Sequence, residues 1–128
     1  MIKQITCKEL KDHVKNNPKS VLLDVRTQEE WDNIGKPDGD KMGLKTYFLE
    51  IRRDAMFDFI QEFKKLNINQ DKEILVICAS GERSQISAEL LSKKNYKSIN
   101  ISDGFMGSQE GVGWKKIGLP FTFTLKKN

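Results

Sequence analysis

The stretch Glu73-Ile74-Leu75-Val76-Ile77-Cys78-Ala79-Ser80-Gly81-Glu82-Arg83-Ser84 decides how the chain folds. Ile74 to Ile77 form a continuous apolar run of the kind that fills a strand covered on both faces of a sheet. Small and polar residues with one glycine then turn the chain. Beyond them Ile86, Leu90 and Leu91 fall on one face of a helix. Strand, tight loop and helix in that order form half of a parallel α/β unit, and reactive sites in open parallel sheets lie beyond the carboxyl ends of the strands. Cys78 occupies that position.

Working outward, residues 20–25 (Ser-Val-Leu-Leu-Asp-Val) read as a second buried strand. Residues 46–49 and 97–101 are shorter strand candidates, and residues 3–6 a marginal edge strand. Thr6 with Glu9, and Thr27 with Glu30, have the spacing of the reciprocal capping box that satisfies exposed amides at a helix start. Phe59, Ile60, Phe63 and Leu66 share a helical face. Strand and helix in alternation predict an α/β fold whose central, mainly parallel five-stranded sheet has right-handed crossovers and helices on both faces. No repeat, low-complexity tract or Pro/Gly/Ser linker divides the chain, so residues 1–128 are expected to be one domain. The stretch from Asp32 to Lys45 reads as a polar loop, and the last four residues as a frayed end.

With 128 residues and 38% apolar content, the chain has material for one core. Its longest apolar run, residues 74–79, is far short of a membrane span, and the first residues lack the apolar stretch of a secretory signal. A soluble, cytoplasmic protein is expected, with no membrane role. The net charge of +4, from 22 basic and 18 acidic residues interspersed along the chain, gives weak grounds for nucleic-acid binding, and none is expected. Cys7 and Cys78 are far apart with no Cys-x-x-Cys spacing, so neither a disulfide framework nor a zinc site is suggested.

An isolated cysteine at a strand end is commonly a small buried hydrophobe. The loop after Cys78 argues for more. Successive backbone N–H groups of Ala79, Ser80, Gly81, Glu82, Arg83 and Ser84 are placed to curl into an anion-binding nest at a helix start. That nest and the Arg83 cation favour a thiolate, hence a nucleophile. Asp24 and Arg26 are compatible with a plain surface ion pair, but Asp24 follows an apolar strand where an unpaired carboxylate is costly, so a hydrogen-bonded structural role is expected for it. Arg83 in a first helical turn is disfavoured by the helix dipole and implies a nearby anion.

Together these segments resemble a rhodanese domain. Leu23-Asp24-Val25-Arg26, Glu30-Trp31, the Cys-x-x-Gly-x-Arg-Ser loop of Cys78 to Ser84, and Trp114-Lys115-Lys116-Ile117-Gly118-Leu119-Pro120 are similar to the family's motifs and follow its order over about residues 5 to 120. The resemblance implies a sulfurtransferase in which Cys78 accepts sulfane sulfur, residues 79 to 84 cradle the persulfide, and Asp24 and Arg26 hold the site. It further implies a small-molecule donor such as thiosulfate or a persulfide, a thiol or cyanide acceptor, a protein persulfide as an alternative partner, and no metal or organic cofactor.

The chain departs from the family in several places. Many members have Arg directly after the Cys, where this chain has Ala79, and Glu82 adds a carboxylate at the rim. Both changes oppose a dianionic donor such as thiosulfate more than they oppose a persulfide. The span from Gly104 to Trp114, with four glycines, is compatible with a mobile lid beside Cys78 and equally with an ordinary surface loop. Two other functions remain open. Thiol phosphatases or arsenate reductases of similar fold use a Cys-to-Arg loop one residue longer than the four residues here, Ala79 to Glu82. Non-catalytic regulatory modules also use the fold. His13 and Cys7 read as structural, as do Trp31 and Trp114.

Overall fold

The structure, a computed structural model, describes residues 1–123. Five parallel strands form one sheet: β1 (Lys3–Ile5), β2 (Ser20–Asp24), β4 (Lys45–Phe48), β5 (Glu73–Ile77) and β6 (Lys97–Ile101), in the order β1-β6-β5-β2-β4. Two short strands, β3 (Lys36–Pro37) and β7 (Phe121–Thr122), pair antiparallel outside it. The helices are α1 (Leu10–Asn16), α2 (Gln28–Ile34), α3 (Met56–Lys64), α4 (Glu82–Lys93) and α5 (Trp114–Ile117).

Side chains of the sheet alternate between two apolar layers, as the period of two in a strand requires. Leu22, Leu75, Ile77, Ile99 and Ile101 pack with Leu10, Phe105 and Trp114 on one face. Val21, Leu23, Ile74, Val76 and Cys78 pack with Phe59, Phe63, Ala88 and Leu91 on the other. Burial on both faces is why the central strands read as unbroken apolar runs. Of the predicted helical stripe, Phe59 and Phe63 are buried, and Ile60 and Leu66 lean on the same layer.

The capping predictions fix two helix starts. Glu30 N–H donates to Thr27 Oγ1 at 3.2 Å while the Glu30 carboxylate accepts from Thr27 N–H at 3.0 Å. At the first site the Glu9 carboxylate accepts from Thr6 N–H at 2.9 Å, but Glu9 N–H goes to the Thr6 carbonyl, so a 3₁₀ turn (Cys7–Glu9) precedes α1.

The expected polar loop from Asp32 to Lys45 is instead structured. Its first residues complete α2, Lys36–Pro37 form β3, and Gly39–Met42 make a 3₁₀ turn followed by fully buried Leu44. Polar composition concealed this because the order comes from a tertiary partner, β7, nearly ninety residues downstream. The predicted frayed end lies outside the described residues. No helix among the described residues is long and apolar enough to cross a membrane.

Candidate active site

The site lies where β5 ends and α4 begins, at the centre of the sheet. Cys78 is 1% exposed. Its Sγ accepts a hydrogen bond from Gly81 N–H at 3.1 Å and lies 3.2 Å from Ser84 Oγ. The expected ring of amides is thus narrower in this state: one loop amide and one hydroxyl reach the sulfur. Gly81 makes the turn possible. It has φ +97°, and a Cβ there would stand 2.4 Å from the Ser102 carbonyl oxygen.

The loop is braced by the turn that follows β6. Phe105 N–H donates to the Cys78 carbonyl at 2.8 Å and Met106 N–H to the Ala79 carbonyl at 2.9 Å. Gly104, with φ +64°, allows this approach, since a Cβ there would meet Ala79 O at 2.4 Å. Asp103 is buried and ties the base of the same segment, accepting from Cys7 N–H at 2.9 Å and Gly113 N–H at 3.0 Å. Residues 104–114, weighed from sequence as lid or surface loop, therefore have a pinned base. Their tip, Ser108 to Glu110, lines a groove beside the cysteine loop.

Asp24 and Arg26 are fully buried, and the hydrogen-bonded role expected of Asp24 is filled by Arg26. The Asp24 carboxylate accepts from Arg26 Nε and Nη2 and from Arg26 N–H, all within 3.1 Å. The guanidinium also reaches the Gly35 carbonyl at 2.8 Å and lies 4.2 Å from the Phe105 ring centroid. The pair thus touches the site through Phe105, whose amide holds the Cys78 carbonyl.

Arg83 finds the anion that its position implied. Its guanidinium forks onto the Glu30 carboxylate at 2.8 Å on both arms. This pairing, with the Thr27 amide, holds the Glu30 carboxyl down at about 2. In turn Glu30 raises the Arg83 value, and a charge on Cys78 acts in the same direction. Arg83 is therefore near enough to feel a Cys78 thiolate, although its hydrogen bonds go to Glu30.

Asn100 is a site residue that the sequence reading missed. It is 3% exposed, accepts from Ser84 Oγ at 2.5 Å, and donates to Gly81 O at 3.2 Å and Gln4 Oε1 at 2.8 Å. Its signal was an amide between Ile99 and Ile101 in a buried strand, where a polar side chain needs partners. The remaining loop residues differ in placement: Ala79 is half-buried, while Ser80 and Glu82 are exposed.

The two cysteines have opposite surroundings. Cys7 is equally buried, but its Sγ–H donates to the Gly104 carbonyl at 3.5 Å, beside the Asp103 carboxylate. Burial first, and then that negative charge, push its thiol far above the ordinary range and keep it protonated. Cys78 meets an amide donor and a hydroxyl instead.

A central parallel sheet with a cysteine at the end of its middle strand, wrapped by a glycine-turned loop that opens a helix, defines the rhodanese-like class of α/β domains. The family model for the rhodanese-like domain matches residues 6–110, and the chain belongs to that family. It is 39% identical to the uncharacterised Rickettsia prowazekii protein RP600, over 84% of this chain and 86% of that one. It is 30% identical to YtwF of Bacillus subtilis, provisionally named a sulfurtransferase, over 82% of this chain and 88% of that one. Among solved structures, Rv0390 of Mycobacterium tuberculosis superimposes with a TM-score of 0.76 at 29% identity, covering 95% of this chain and 98% of its own.

Proposed function

We propose that this protein is a sulfurtransferase that carries sulfane sulfur as a persulfide on Cys78. The observation that carries the proposal is the polar environment of Sγ, which accepts from Gly81 N–H at 3.1 Å and lies 3.2 Å from the Ser84 hydroxyl, within an otherwise apolar layer. A buried sulfur that accepts from a backbone amide is favoured as an anion, whereas one that donates to a carbonyl beside a carboxylate, like Cys7, is kept as a thiol.

In the first half-reaction the Cys78 thiolate attacks the outer sulfur of a donor, a small persulfide or thiosulfate. The donor's sulfur–sulfur bond breaks, and its electron pair leaves with the remaining thiolate or sulfite. The product is a Cys78 persulfide whose terminal sulfur is anionic and accepts from the Gly81 amide, and from Ser84 once that hydroxyl turns its one proton away from Asn100. In the second half-reaction an acceptor, a thiolate or cyanide, attacks that terminal sulfur and the electron pair of the bond returns to Cys78. Asp24, Arg26 and Phe105 position the Cys78 backbone. Arg83 contributes at longer range, because its guanidinium is engaged by Glu30. A protein persulfide can serve as donor by the same chemistry, and the cycle calls for neither metal nor organic cofactor. The provisional sulfurtransferase name of YtwF is consistent with this reading.

The test is to offer thiosulfate, mercaptopyruvate and a cysteine-derived persulfide in turn, following single-turnover loading and then release to cyanide or a thiol. Ping-pong kinetics, with transfer abolished by Cys78→Ser, are expected. Transfer that survives Cys78→Ser would contradict the proposal, and a biological effect that does not need Cys78 would favour a scaffold role. Efficient phosphate-ester turnover would point to an oxyanion enzyme.

A further inference from the structure

Beside the cysteine loop lies an open groove of about 850 Å³, lined by Ser80, Gly81 and Glu82 of that loop together with Gln4, Gln85, Asn100 and the segment Ser108 to Glu110. It shares two residues with the site. Gly81 donates its amide to Cys78 Sγ, and Asn100 accepts from Ser84 Oγ, which itself lies against Sγ. Cys78 is almost fully covered, so Sγ is set back behind these groups, while a second sulfur extends the side chain by about 2 Å. The groove walls are amides, hydroxyls and two exposed carboxylates, Glu82 and Glu110, with no lysine, arginine or histidine among them. The nearest cation of the loop, Arg83, is neutralised by Glu30.

Building on the proposed sulfur transfer, we infer that this groove receives the sulfur acceptor and selects thiols that carry an ammonium group over anionic thiols. Glu82 and Glu110 supply the attraction at the rim, while the amides of Gln4 and Gln85, bonded to each other and to Asn100 and Glu89, form a neutral floor. Two like charges on an open rim raise the encounter rate of a cation and lower that of an anion, and salt screens both effects. The transfer itself is balanced: the acceptor thiolate sulfur bonds to the terminal sulfur of the Cys78 persulfide, the old sulfur–sulfur bond breaks, and Cys78 leaves as thiolate.

The test uses Cys78 first loaded with sulfur from a small persulfide, the loading confirmed by intact mass. The loaded protein is then mixed with cysteamine, 2-mercaptoethanol and 3-mercaptopropionate, and rates are compared per thiolate after correction for thiol basicity. A preference of about tenfold or more for cysteamine over 3-mercaptopropionate is expected at low salt, falling toward unity near 0.5 M salt. Glu82→Gln and Glu110→Gln, both at exposed positions, are expected to shrink that ratio singly and to abolish it together. Equal rates for the three thiols, a ratio indifferent to salt, or one unchanged in the double variant would overturn the inference while leaving the loaded persulfide intact. Failure to load Cys78 at all would remove both the inference and the function on which it rests.

Discussion

Arg83 and Glu30 are joined by two parallel hydrogen bonds of 2.8 Å, Nη1 to Oε1 and Nη2 to Oε2, which tie the first turn of α4 to the start of α2. Planar, bidentate pairs of this kind fix orientation as well as charge. Glu30 thus does two tasks, closing the Thr27 capping box and holding the helix that begins at the cysteine loop.

This pairing has a pH signature. The folded-state value of Glu30 is about 2 against an ordinary 4.5, so the unfolded chain takes up the proton first. Its contribution to stability is complete above about pH 4.5 and is lost as pH falls through about 2. For a half-buried pair, after allowance for solvent screening, about 1 kcal/mol is reasonable. Chemical denaturation of the wild type and of Glu30→Gln across this range is expected to show a gap near neutrality that closes in acid. A gap constant down to pH 2 would show that the pair is not its source.

Ser84 and Asn100 are expected to act in series on the sulfur. Ser84→Ala removes one of the two polar partners of Sγ; with the Ser84 proton turned from Asn100 to the thiolate, a hydrogen bond to a charged group contributes about 1.5–3 kcal/mol, so single-turnover loading should slow by roughly ten- to a hundredfold. Asn100→Ala should slow it less. The double variant should lie within about twofold of Ser84→Ala, because Asn100 reaches Sγ through that hydroxyl. Additive losses would mean that Asn100 acts by another route.

The sheet and the location of the site were legible because their signals are local. The apolar runs of β2 and β5, the Thr27–Glu30 box and the glycine-turned loop after Cys78 each state their structure within a few residues. What escaped depends on distant partners. Neither the pairing of Lys36–Pro37 with Phe121–Thr122 nor the Asn100 bridge from Ser84 to Gln4 leaves a periodic trace. Arg83 shows the boundary well: its dipole-disfavoured position announced an anion, and only the folded chain identifies it as Glu30.

Gly104→Ala is expected to damage the site from behind. The substitution places a side chain at φ +64° and 2.4 Å from Ala79 O. Backbone strain of this kind costs about 1–3 kcal/mol, so the melting temperature should fall by roughly 5–10 °C. Because the same segment holds the Cys78 and Ala79 carbonyls, loading should fall as well. Unchanged loading would detach the brace from the chemistry.

Cys7→Ala is expected to keep sulfur loading while costing about 1 kcal/mol in stability, as its covered, protonated thiol implies. Loss of loading in a folded Cys7→Ala protein would assign that thiol a part in transfer.

The most direct measurement is intact mass and peptide mapping of the protein after exposure to a small persulfide donor, alongside Cys78→Ser. One added sulfur atom, mapped to Cys78, removed by an acceptor thiol and absent from the variant, is the expected result. An unmodified Cys78 under conditions where the donor is consumed, or sulfur mapped to Cys7, would contradict the account.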